Sequence, residues 1–88
     1  MTLADKFGVN AELFQHIDIN VLGLSIRASH CLLNAQCKTV GDILELSESE
    51  LKSIKNMGVK SVEDVLNKIR EYLSDISDED YYTRKRKD

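Results

Sequence analysis

Leu51-Lys52-Ser53-Ile54-Lys55-Asn56-Met57-Gly58-Val59-Lys60-Ser61-Val62 is the stretch on which the reading of this protein turns. Just upstream, Ser47 and Glu50 have the spacing of a capping box, which predicts a helix over 48–55 with Leu51 and Ile54 facing inward. Asn56-Met57-Gly58 then breaks the helical spacing, and Gly58 is expected to supply the positive φ that a tight hairpin needs. A second helix is predicted over 60–73. Val62, Val65, Leu66, Ile69 and Leu73 form its apolar stripe, and Ser61 with Asp64 is read as a cap pair. The unit is therefore a helix-hairpin-helix. Unpaired amides at the start of its second helix face outward, where the helix dipole favours an anion. Lys60 brings a charge and Ser61 a hydroxyl to the same place, a geometry that can hold a nucleic-acid phosphate without reading bases. The same residues also suit an ordinary helical corner with a surface lysine.

Working toward the N-terminus, Ser25 is expected to cap a helix over 26–36, with Ala28, Cys31, Leu32 and Ala35 as its inward stripe. Thr39 and Asp42 resemble a weaker capping box for a short helix over 40–46. Asn10 is a plausible cap for a helix over 11–16 that offers Leu13 and Phe14 to a core, with His16 near its C-terminal end. Between these, residues 17–24 alternate roughly apolar and polar before Gly23, which reads as an extended strap across the helical body. The fold class is all-α: a compact bundle of four to five short helices containing a helix-hairpin-helix, with an N-terminal extended strap. The sequence divides into a helical lead (1–16), a domain (17–73) and a charged tail expected to be mobile (74–88). Tyr81-Tyr82 in that tail could dock back on the domain.

The bulk properties narrow the function. Eighty-eight residues make one small domain, and the lack of proline and the four glycines favour helices. No apolar run approaches the roughly 20 residues needed to span a bilayer, and no signal-peptide pattern opens the sequence, so a cytoplasmic setting without membrane contact is expected. Cys31 and Cys37, with His16 and His30, lack metal-ligand or disulfide spacing, so no metal or other cofactor is expected. No nucleophile-base-orienter set can be placed, and the acidic run 75–80 lacks the glycine and spacing of a calcium loop. A non-enzymatic protein without a small-molecule substrate is expected. The net charge is −3, of which residues 1–23 contribute −2, residues 24–73 zero and residues 74–88 −1. Any DNA binding must then come from a local arrangement rather than from the field of the whole molecule.

A second candidate surface lies on the outward side of the helix over 26–36. Arg27, His30, Cys31 and Asn34 cluster there within about 100° at roughly 3.6 residues per turn. Arginine suits a narrow minor groove, and His or Asn can bond to groove-edge acceptors. A solvated polar face with one partly buried thiol would look the same.

Three blocks carry a resemblance. Leu24-Ser25-Ile26-Arg27-Ala28-Ser29-His30-Cys31-Leu32 is similar to L-[ST]-V-R-[SA]-x-N-C-L, a pattern of the C-terminal domain of the bacterial RNA polymerase alpha subunit. Thr39-Val40-Gly41-Asp42-Ile43-Leu44 follows T-V-x-[ED]-L, and Asn56-Met57-Gly58-Val59-Lys60-Ser61-Val62-Glu63-Asp64-Val65 follows N-L-G-x-K-S-L-x-E-[IV]. The resemblance spans about residues 17–73. It implies a helical domain that binds A+T-rich DNA through the minor groove and is touched by transcription activators. By position it implies DNA contacts from Arg27, Cys31, Asn56, Gly58, Lys60 and Ser61, with His30 where the family has Asn. Leu33 stands where a basic residue is usual, Gln36 where a glycine ends the helix, and Asp64 where Glu is usual. An apolar Leu33 beside a DNA face, with Asp64, could mark a protein contact. The family domain follows a large assembly domain through a linker, whereas this sequence opens at Met1 with its own lead, which suggests a free-standing relative or an excised domain.

Three functional readings follow. The first is a DNA-binding module of transcription, with Arg27 in the minor groove and the hairpin on phosphates. The second is an interaction module that mimics the alpha domain and binds RNA polymerase or a regulator. The third is a helix-hairpin-helix module of DNA repair or recombination.

Overall fold

The computed structural model describes residues 1–76. The expected tail beyond them, with Tyr81-Tyr82 and Arg84–Lys87, lies outside the described residues.

The first helix, α1 (Leu3–Phe7), is one that the sequence reading does not anticipate. Its signals are local: the Thr2 hydroxyl accepts from the Asp5 amide, the Asp5 carboxylate accepts from the Thr2 amide, and Gly8 closes the helix at φ 73°. Five residues are too few for a helical apolar period to show in sequence. What holds α1 is tertiary: the Leu3 amide donates to the Leu46 carbonyl at 2.7 Å, and Leu3 and Ala4 are buried.

Asn10 caps the next element as expected, accepting from the Glu12 amide, but Ala11–Phe14 is a 3-10 helix that stops short of His16. Phe14 is fully buried while Leu13 stays 42% exposed, so only one of the two expected residues reaches the core. The extended path expected over 17–24 is confined to its start. Asp18 pairs with Thr39 in an isolated antiparallel bridge, and the Val40 amide donates to the Ile17 carbonyl. Asp18 then caps a second 3-10 helix, Ile19–Leu22, by accepting from the Asn20 amide. Side chains three apart share a face at this period, so Ile19 and Leu22 are both buried.

Four α-helices complete the body. Ser25 caps α2 (Ile26–Asn34), which ends earlier than expected because Gln36 turns the backbone at φ 68°. Ala28 and Leu32 are buried, as their place in the stripe predicts, but Ala35 falls beyond the helix and is exposed. Thr39 and Asp42 close a full reciprocal capping box on α3 (Val40–Leu44), stronger than the weak one expected. Ser47 and Glu50 do the same for α4 (Glu48–Lys52), which is three residues shorter than expected at its C-terminal end. The long α5 (Val59–Asp75) carries Val62, Val65, Ile69 and Leu73 into the core at helical spacing and continues past Leu73.

All seven elements feed one buried cluster, so the fold is an all-α bundle as the composition implies. Gly41 lets α3 approach the first 3-10 helix closely: a Cβ there would sit 2.7 Å from the Ala11 carbonyl oxygen and from Gln15 Nε2. Cys37 is buried, and burial followed by the nearby Asp42 carboxylate pushes its thiol above the usual 9.0, so it packs as a neutral apolar side chain.

Candidate nucleic-acid interface

The hairpin between α4 and α5 is built differently from its sequence reading. The Met57 amide donates to the Ile54 carbonyl at 3.1 Å, closing a turn in which Asn56, not Gly58, takes the left-handed conformation at φ 67°. Asparagine visits this region more readily than most residues, which is why it can stand here. Gly58 is extended (φ −80°, ψ 174°) and occupies the N-cap of α5. A Cβ added to it would meet nothing within 4 Å, so neither backbone strain nor internal packing demands glycine. The expected Ser61–Asp64 cap pair is not formed, since the cap sits at Gly58, three residues before Ser61. Asp64 turns instead toward α2, where its carboxylate accepts from the Ser25 amide at 3.4 Å.

The N-terminus of α5 is therefore the open one. Thr2, Asn10, Asp18, Ser25, Thr39 and Ser47 each close the start of another helix with a side-chain oxygen, whereas α5 has no side-chain cap. The Val62 amide is the first to be paired within the helix, with the Gly58 carbonyl at 3.0 Å. Gly58, Val59 and Lys60 are exposed and Ser61 is half-buried. Outward amides and the helix dipole thus face solvent at a helix start whose first turn also carries the exposed Lys60.

On α2, Arg27, His30 and Asn34 are on the surface as expected, whereas Cys31, which the sequence places both on this face and in the inward stripe, is only 6% exposed and follows the stripe. Position 31 lies at the border between the inward and outward faces, and the hairpin covers it. Its thiol donates to the Asn56 carbonyl at 3.4 Å. This contact brings the Arg27–Cys31–Asn34 stripe against the hairpin. Between them runs a cleft of about 130 Å³ lined by Cys31, Asn34, Ala35, Ile54, Lys55 and Asn56. Lys55 is absent from the site that the sequence motifs predict; its place beside Asn56 in the turn is the signal that could have found it. Leu33 is 44% and Ile26 78% exposed, and with His30 between them they form the neighbouring stripe of α2.

The charges are sorted by their partners. Glu48 binds Lys6 at 3.2 Å and Lys52 at 3.5 Å. The Lys6 hydrogen bond and charge, with Lys52 adding, hold the Glu48 carboxyl below its usual 4.5. Among the described residues Arg27, Lys55 and Lys60 enter no ion pair. No cluster of three His, Cys, Asp or Glu side chains among the described residues could hold a metal ion, and no described helix is long and apolar enough to cross a membrane.

Residues 8–71 match the family model for the C-terminal domain of the bacterial RNA polymerase alpha chain. The protein is 49% identical over 57 residues to the DNA-directed RNA polymerase subunit alpha of Thermosynechococcus vestitus, covering 65% of this sequence and 18% of that protein. It is 45% identical over 65 residues to the alpha subunit of Synechocystis, covering 74% of this sequence and 20% of that protein. The alpha subunit of Phaeodactylum tricornutum is 40% identical over 65 residues, covering 74% and 21%. The match thus spans about a fifth of the length of these curated relatives. No solved structure gives a significant match.

Proposed function

This protein belongs to the family of the C-terminal domain of the bacterial RNA polymerase alpha chain, and we propose that it is a non-catalytic DNA-binding module of transcription. The open N-terminus of α5 carries the reading. Gly58 leaves bare a helix start that every other described helix fills with a side chain, and Lys60 and Ser61 stand in its first turn. A phosphate oxygen fits the outward amides there. Arg27 enters the minor groove, where A+T-rich sequence narrows the groove and deepens its negative potential. His30 and Asn56 flank these contacts. Cys31 supports them from beneath, as a buried brace between α2 and the hairpin. Since the net charge is −3, attraction to DNA among the described residues rests on this local arrangement and not on the field of the whole molecule.

The test is a titration against A+T-rich and G+C-rich duplexes at two salt concentrations. Salt-sensitive binding with an A+T preference is expected, lost on Arg27→Ala and reduced on Lys60→Ala. Absence of binding at low salt would overturn the reading.

One observation favours a second reading. Ile26 and Leu33 expose apolar surface on the α2 stripe next to the DNA face, which suits a protein contact with RNA polymerase or a regulator, with Asp64 nearby. Retention of polymerase by the wild-type protein and its loss on Leu33→Lys would support it.

A further inference from the structure

Lys55 has no role in the three sequence blocks, yet the fold gives it a specific position. It is exposed, it enters no ion pair among the described residues, and it lines one wall of the cleft whose other wall holds Asn34. Asn34 lies on the stripe of α2 that bears Arg27, and the Cys31–Asn56 contact fixes that stripe against the turn holding Lys55. Glu48 is engaged by two lysines, Asp64 accepts from the Ser25 amide, and Glu63 faces the groove between α4 and α5 with Met57, Val62 and Leu66. Arg27, Lys55 and Lys60, none of them in an ion pair among the described residues, thus stand on the three segments that meet at this cleft, on a protein whose total charge is negative.

We infer that Lys55 contacts a second phosphate of the nucleic-acid backbone whose first phosphate sits at the α5 N-terminus, so that the cleft between α2 and the hairpin is spanned by one continuous strand. This rests on the DNA-binding reading above. A lysine acts here as a point charge: it adds affinity and salt dependence without sequence preference.

The experiment is a salt titration of duplex binding for the 88-residue protein and for its Lys55→Gln, Lys60→Gln and Lys68→Gln variants, the last a control on α5 outside the cleft lining. Each lost phosphate contact lowers the slope of log affinity against log salt by about 0.9. Between about 50 and about 200 mM salt, Lys55→Gln is thus expected to lose about three- to fourfold less affinity than the wild type, equally on A+T-rich and G+C-rich duplexes. Lys68→Gln should keep the wild-type slope. A Lys55→Gln slope equal to wild type, with Lys60→Gln still lowered, overturns the inference and leaves the DNA-binding reading intact. A drop on Lys55→Gln no larger than on Lys68→Gln overturns it as a mere effect of net charge. No duplex binding by the wild type at low salt removes both. Lys55 is solvent-exposed, so a thermal melt of Lys55→Gln should match wild type and exclude misfolding as the cause.

Discussion

The Cys31 thiol donates a hydrogen bond to the Asn56 carbonyl oxygen at 3.4 Å, tying the middle of α2 to the turn that leads into α5. One buried side chain thereby links the Arg27 stripe to the turn that precedes the open helix start at Gly58. Replacing it tests both packing and placement. Cys31→Ala is expected to cost about 1–2 kcal/mol, from lost contacts and a carbonyl left without its donor. Cys31→Ser keeps a donor and should recover duplex affinity more fully than stability. Urea unfolding and duplex titration on the same variants separate the two effects.

At Gly58 stability and binding should move in opposite directions. An aspartate at an N-cap accepts from the first-turn amides, so Gly58→Asp is expected to stabilise the fold by about a few tenths of a kcal/mol. The same carboxylate fills the anion position. Duplex affinity should fall at least about tenfold, or ~1.4 kcal/mol. A variant that melts higher and still binds as wild type would show that the α5 start is not the phosphate site.

Gln36 holds φ 68°, a conformation that costs a residue with a Cβ roughly 1–2 kcal/mol. Gln36→Gly removes that cost but gives the unfolded state more freedom, worth about 0.4–1 kcal/mol the other way. A net gain of about 0.5–1 kcal/mol is expected, raising the melting temperature by several degrees. An unchanged or lower melting temperature would contradict the strained turn.

Gly41 is the opposite case, because space rather than φ excludes a side chain. A Cβ would lie 2.7 Å from the Ala11 carbonyl oxygen, which is backbone and cannot swing aside as Gln15 can. Gly41→Ala should destabilise by about 1–3 kcal/mol in denaturant unfolding.

The Lys6–Glu48 pair makes a pH-dependent contribution. The Glu48 carboxyl is held below its ordinary 4.5 in the folded protein, so the folded state favours the carboxylate. Its stabilisation is fully present above that ordinary value and is lost as pH falls through the folded one. Glu48→Gln should therefore melt lower than wild type at neutral pH, with the gap closing in acid. A gap that stays constant down to acid pH would rule out the pair as its source. The effect should be modest, since both side chains are well exposed.

The parts of this protein that sequence alone determined are those written within a few residues of one another. Asn10, Ser25 and the Thr39–Asp42 and Ser47–Glu50 boxes sit where their spacing puts them, because a cap and the amides it serves lie within one helical turn. The stripe of α5 is equally plain, since seventeen residues show the period several times over. Three ordered blocks are enough to point to the family. Tertiary structure decided the rest. A helix of five residues such as α1 has local caps in Thr2, Asp5 and Gly8 but is too short to show an apolar period, and it gains its stability from burial against distant partners. Asp64 abandons Ser61 for the Ser25 amide 39 positions away, and Cys31 is buried by a turn 25 positions further on. Asn56 takes the left-handed turn and leaves Gly58 as a bare cap. Those choices follow from contacts that form only when remote segments meet, which no local spacing encodes.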